Sequence, residues 1–203
     1  MTHLKRSALT LRALGMMPIL AVILLASCAG RPTPAQVDNA CWLLNDHPAY
    51  RRATQHAERK WGVPIGVQLA IIRQESSFNR HARPPRRHIL WVIPWRRVSS
   101  ARGYTQALDG TWKQYQSETG HHWASRSSIH AATDFVGWYA NRANRRAGIP
   151  KSDARDLYLA YYEGIGGYLA RSYSSKAWLV AVADKVAYRA NRYDRQLRSC
   201  GMD

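Results

Sequence analysis

The stretch Val67-Gln68-Leu69-Ala70-Ile71-Ile72-Arg73-Gln74-Glu75-Ser76-Ser77-Phe78 decides how the chain is read. Its spacing predicts a helix opened by Pro64 near the first turn and closed at the Ser76-Ser77 pair. Val67 and Ile71 stand one turn apart, and one further turn along that row stands Glu75. A carboxylate on a core-facing row is partly desolvated, which raises its pKa and keeps it protonated near neutral pH. A general acid needs that state, because it must hold a proton and release it on demand. The other reading of the same pattern is a glutamate at a helix end, its stem packed and its head in water.

The totals bound the alternatives. A chain of 203 residues is one domain plus extras, and 46% hydrophobic residues suffice for one substantial core. Thirty Lys and Arg against 13 acidic residues give a net charge of +17. The first 27 residues hold only Lys5, Arg6 and Arg12 of these charges and no acid, so the basic character belongs to the remainder. This balance favours polyanionic partners: nucleic acid, anionic lipid or an acidic polymer such as cell wall.

The amino terminus narrows the choice. Lys5, Arg6 and Arg12 precede an apolar run from Leu14 to Ala26, which is too short for a typical spanning helix and reads as a secretory signal over residues 1–27. The run ends Leu25-Ala26-Ser27-Cys28, which resembles a bacterial lipobox whose cysteine carries the lipid. A signal peptide cut without lipidation is the alternative. Ala29 after Cys28, rather than Asp, points to an outer-membrane lipoprotein facing the periplasm of a Gram-negative bacterium. Export argues against a nucleic-acid role, and neither a zinc spacing nor an RNA-binding sheet motif is present. The two remaining cysteines, Cys41 and Cys200, lie at the ends of the mature domain. In an oxidising compartment they read as one disulfide, with two buried thiols as the alternative. Such a bridge stabilises by about 5 kcal/mol at most in the chain-entropy model.

In chain order, residues 28–40 read as a lipidated tether, with Gly30-Arg31-Pro32-Thr33-Pro34 its extended part, and 41–203 as the folded domain. Asp46 or His47 before Pro48 opens a helix that Gly62 closes after Trp61. Pro64 opens the helix carrying Glu75. The pattern then fails over residues 80–103, a long loop or small hairpin with Arg83, Arg86, Arg87, Arg96 and Arg97 around Trp91 and Trp95. It reads as a flap beside a cleft, or as a cover for the core. Asp109 is the predicted N-cap of a helix reaching about Glu118, with Gly120 after it. Ile129 to Ala143 form the next helix, ended by Gly148. Ser152 caps another that ends at Gly164, and after a Gly166-Gly167 turn the longest periodic segment runs from Trp178 to Leu197. The fold class is therefore mainly α.

Three short motifs in order then carry a resemblance: Glu75-Ser76, Gly103-Tyr104-Thr105-Gln106 and Ala160-Tyr161-Tyr162-Glu163-Gly164. They are similar to the three signatures of the soluble lytic transglycosylase (SLT) domain, over roughly Ala49 to Tyr188. The resemblance implies a lysozyme-like α fold and an enzyme, a lyase that cleaves peptidoglycan glycan strands. It makes Glu75 the single acid/base catalyst. Ser76 would orient the substrate's acetamido group or the glutamate, Gln106 would hydrogen-bond sugar, and Tyr161 would position Glu75. Tyr104, Tyr162 and Glu163 fall at substrate-binding positions of the motifs. Here the chain departs from the pattern: Tyr104 and Thr105 replace Leu and Met, while Tyr162 and Glu163 replace Asn and Ala. The span between the first two motifs is also longer.

The implied reaction cleaves the β-1,4 bond between N-acetylmuramic acid and N-acetylglucosamine and closes a 1,6-anhydro ring, with no cofactor and no metal. Two other readings stand beside it. Glu163, if it faces Glu75, would be the second carboxylate of a hydrolytic muramidase. A non-catalytic wall-binding lipoprotein would need neither. The expected partners are glycan strands and, through the lipid, a membrane; the sequence specifies no protein partner.

Overall fold

Capping residues and glycines cut the chain where the periodicity breaks. The computed structural model describes residues 31–84, 86–89, 93–97 and 99–202, and in this range it is mainly helical. Thr33 and Gln36 form a reciprocal capping box that starts α1 (Pro34–Val37). The Asn39 side chain accepts from the Trp42 amide at 3.0 Å and starts α2 (Ala40–Asp46). Pro48 opens α3 (Pro48–Trp61), and Gly62, at φ 69°, ends it. The remaining helices are α4 (Ile65–Ser76), α5 (Asp109–Thr119), α6 (Ile129–Ala147), α7 (Ala154–Leu169) and α8 (Ala177–Ser199). Between α4 and α5, β1 (Arg86–Ile89) and β2 (Ile93–Arg97) pair antiparallel, His88 opposite Pro94, with a bulge between Arg86 and His88. The small hairpin is therefore present; the side chains of Trp91 and Trp95, like Cys28 and the whole leader, lie outside the described residues.

Four boundaries differ from the sequence reading. The tether does not extend to residue 40. Val37 and Ala40 are buried, the Tyr193 hydroxyl donates to the Val37 carbonyl, and the Ala40 amide donates to Gln196 at 2.9 Å. A disulfide between Cys41 and Cys200 fixes α2 to the end of α8. Residues 33–40 are thus part of the folded body. Asp109 is the first residue of α5 rather than its cap, because its carboxylate is drawn to Arg126 at 2.8 Å. Asp153, not Ser152, caps α7, accepting from the Asp156 amide at 3.0 Å. Nor does that helix stop at Gly164: it kinks there, at φ 76°, and carries Gly166 and Gly167 within it.

At the centre lies α4, packed chiefly against α8, with further contacts to α3, α6 and α7. It is not an amphipathic surface helix. Every residue from Ile65 to Ile72 is buried, the pattern of a helix enclosed by protein on all sides. Gly66 is what lets α8 approach so closely, since a Cβ there would stand 2.1 Å from Asp194 Oδ1. Pro64 offers no capping side chain, so carboxylates from other helices satisfy the first amides of α4. Glu58 accepts from Ile65 at 3.2 Å and Asp194 from Gly66 at 3.1 Å. Gln68, fully buried, donates to the Thr54 and Val63 carbonyls.

A second buried carboxylate ties the other helices together. Asp134 on α6 accepts from Lys60, Trp61 Nε1 and the Tyr115 hydroxyl, each at 2.8 Å. These bonds join α3, α5 and α6 and hold the Asp134 pKa below its ordinary value, although burial pushes the other way.

Candidate active site

The last turn of α4 carries Glu75 out of the packed interior to the edge of a cavity of about 530 Å³. The helix ends there in an unusual way. Ser77 and Phe78 both adopt left-handed backbone, at φ 49° and 57°. For residues with side chains this costs on the order of 1 kcal/mol each or more. Burial of the Phe78 ring against Tyr50, 5.7 Å between centroids, offsets it. The sharp turn stops the helix at the residue that must face the cavity.

Burial is the dominant influence on Glu75 and pushes its carboxyl up to about 7; a hydrogen bond from the Tyr158 hydroxyl acts in the opposite sense. The residue therefore holds its proton near neutrality and has one donor ready for the anion left after the proton departs. Tyr158 stands on α7, three residues before Tyr161 and on the same face of that helix. Burial, reinforced by proximity to Glu75, raises the pKa of both tyrosines, so they act as neutral donors.

Tyr161 lines the cavity, but its hydroxyl donates to the Thr105 carbonyl at 2.7 Å. The hydroxyl that bonds Glu75 belongs to Tyr158, which the motif reading did not single out. The i, i+3 spacing with Tyr161 was the available signal. Tyr161 instead ties α7 to the loop that bears Gln106. Its ring stands edge-on to Tyr139, 5.0 Å away, and to Phe135 at 6.2 Å, forming an aromatic side of the cavity.

The loop from Gly103 to Gln106 is set by backbone constraints. Gly103 sits at φ 75°, and a Cβ there would meet the Arg126 carbonyl at 2.2 Å. Arg126 is buried, donates to the Ala107 carbonyl at 3.1 Å and pairs with Asp109 at 2.8 Å. Gln106, left-handed at φ 49°, lines the cavity. Its amide nitrogen donates to the carbonyls of Ala82 and Gly103, at 3.1 and 2.8 Å, which leaves the side-chain oxygen to accept from a ligand. Tyr104 does not reach the cavity. It is buried, its hydroxyl bonded to that of Tyr50 at 2.9 Å, and the apolar slot of the motif explains why an aromatic ring fits there. Ser76 is likewise buried, and its hydroxyl donates to the Ile72 carbonyl one turn back at 3.2 Å. Neither lies among the cavity-lining residues.

Tyr162 and Glu163 do line it. The Tyr162 ring is exposed and stands edge-on to the exposed Trp178, 5.3 Å between centroids. Glu163 is clamped: Lys176 Nζ lies 2.6 and 2.8 Å from its two oxygens, and the Ser172 hydroxyl also donates to it. These partners hold its pKa below the usual value, so it is an ionised, neutralised carboxylate at neutral pH. Ser172 and Lys176 lie 9 and 13 residues downstream, where no local pattern pointed to them. The positive φ of Gly164 bends α7 directly after Glu163.

The site thus offers one protonated acid, one donor for its conjugate base, one amide acceptor and aromatic surfaces. That inventory suits acid–base work on a polyhydroxylated ligand. No curated protein matches the chain. A family model described as the transglycosylase SLT domain, of the lysozyme-like superfamily, matches residues 16–200, which takes in Glu75, the Gln106 loop and the kinked α7. The chain belongs to the transglycosylase SLT domain family.

Proposed function

We propose that the protein is a peptidoglycan lytic transglycosylase in which Glu75 alone serves as acid and then as base. The family supports peptidoglycan as the class of target. The observation that carries the rest is a sheltered glutamate, its pKa near 7, at the edge of a cavity with aromatic sides. Protonated Glu75 donates to the oxygen that links N-acetylmuramic acid to N-acetylglucosamine, and the C1–O bond breaks. Positive charge grows at C1. The sugar's own acetamido oxygen closes on C1 and takes up that charge, a route open to glycosidases that lack a second catalytic carboxylate. The Glu75 carboxylate, held by Tyr158, then accepts the proton of the 6-hydroxyl. The 6-oxygen attacks C1, releases the acetamido oxygen and leaves a 1,6-anhydro end. Glu75 finishes protonated, and no water is consumed. A covered site favours this internal closure over hydrolysis.

Gln106 and Tyr162 are the sugar contacts in this reading, and Tyr158 is the positioning residue. The leader and Cys28 would export the protein and anchor it by lipid to the outer membrane, on the periplasmic side. A hydrolytic muramidase is the second reading, because Glu163 lines the same cavity. Its pairing with Lys176 and Ser172 weighs against a free second carboxylate. Mass spectrometry of products released from purified sacculi separates the outcomes. Anhydro ends absent from the Glu75→Gln variant support the proposal. Products one water heavier mean a muramidase, and binding without release means a non-catalytic wall protein.

A further inference from the structure

Behind the Gln106 loop lies a second cavity, of about 580 Å³, that does not include Glu75. Gly103 and Ala82, whose carbonyls hold Gln106, form part of its wall. Arg80, Arg83, Arg102 and Lys113 surround it and are exposed. Its one acidic side chain, Asp109, is already engaged by Arg126 at 2.8 Å and Arg102 at 4.0 Å. Arg80, Arg83 and Lys113 have no acidic partner among the described residues. On the rim stands Trp123, 98% exposed. Trp123 also lines a third cavity, of about 640 Å³, whose cations include Arg52 and Arg59.

Unpaired cations around a concavity repel one another and raise the local concentration of anions. A bare indole on the wall of two concavities costs hydration and offers a flat apolar face. Charge and ring together describe a site for an extended ligand with several carboxylates and apolar or sugar surface between them. We infer that this basic, Trp123-edged cavity binds the carboxylates of the stem peptides carried by the glycan strand. The assignment rests on the proposed substrate. It is supported by the shared wall, since the loop that presents Gln106 to one cavity bounds the other.

The test measures binding rather than cleavage. The full chain carrying Glu75→Gln is titrated calorimetrically with purified glycan strands that bear their peptides, and with strands stripped of them by an amidase. The peptide-bearing strands are expected to bind roughly tenfold more tightly, with a preference that shrinks as salt rises. Arg83→Glu with Lys113→Glu, both on the surface, should abolish the preference while affinity for stripped strands is unchanged. Trp123→Ala should weaken binding of peptide-bearing strands alone. Equal affinity for the two strands, or a preference that survives the charge reversals, overturns the inference. Tighter binding to vesicles of anionic phospholipid than to peptide-bearing strands also overturns it, in favour of a lipid site. A failure of the proposed function registers elsewhere, as missing anhydro products from the unsubstituted protein.

Discussion

Glu75 and Asp134 are both carboxylates in the helical body, and burial pushes the pKa of each upward. They end on opposite sides of the ordinary value. Asp134 meets a lysine, an indole N–H and a tyrosine hydroxyl, and three charge-stabilising partners outweigh its desolvation. Glu75 has a single hydroxyl, and desolvation wins. The balance between desolvation and the number and charge of the partners separates an acid that staples helices from one that keeps its proton near neutrality. Glu163 follows Asp134 in this respect although it lines the same cavity as Glu75.

Substitutions at the two sites sharpen that contrast. Glu75→Gln should lower release of anhydro products about a thousandfold, the scale of a lost acid–base catalyst, with helicity retained by circular dichroism. Asp134→Ala should do the reverse. It leaves the buried Tyr115 hydroxyl and the Trp61 indole N–H without their acceptor and should cost about 3 kcal/mol in denaturant unfolding, while folded protein keeps its activity.

The pH dependence of stability has opposite sign at the two acids. The Glu75 pKa is raised from 4.5 to about 7, so its favourable contribution is complete below about 4.5 and lost as pH climbs through 7. Glu75→Gln should therefore be more stable than the parent at pH 8 by on the order of 3 kcal/mol relative to the difference at pH 4. For Asp134, with its pKa lowered from 3.8, the contribution is present above that value and lost as pH falls through the depressed one. Asp134→Asn should thus cost most at neutral pH and least in acid. Unfolding curves at a series of pH values read both.

The smallest effects come from paired tyrosines. Tyr158→Phe removes the bond that lowers the Glu75 pKa, so the alkaline limb of the activity profile should move to higher pH. Tyr115→Phe removes one donor from Asp134 and should cost about 1–2 kcal/mol of stability with no change in that profile. A shift of the profile in the Tyr115 variant would erase the distinction between the two acids.

Much of the fold was legible because it rests on local chemistry. Pro48, Gly62, Gly120 and Gly148 mark helix ends through backbone preferences that need no tertiary context. Asp109 and Ser152 misled because several polar residues near a helix start compete to cap it, and here Arg126 drew Asp109 away. Residues 33–40 read as a tether because their partners, Tyr193 and Gln196, lie more than 150 positions away. The motifs located Glu75, Gln106, Tyr162 and Glu163 at the cavity, but Tyr104 and Ser76 serve packing. The i, i+3 neighbour Tyr158 was within reach of helical geometry. Lys176, which neutralises Glu163, was not, since a turn after α7 brings it back.

The protonation of one side chain carries the account. Carbon-13 NMR of the labelled Glu75 carboxyl, assigned by its loss in Glu75→Gln, follows that proton directly across pH 3 to 9. A midpoint near 7 is the predicted result. A midpoint near 4.5, the value of a solvated glutamate, would contradict it and leave the cavity without its acid.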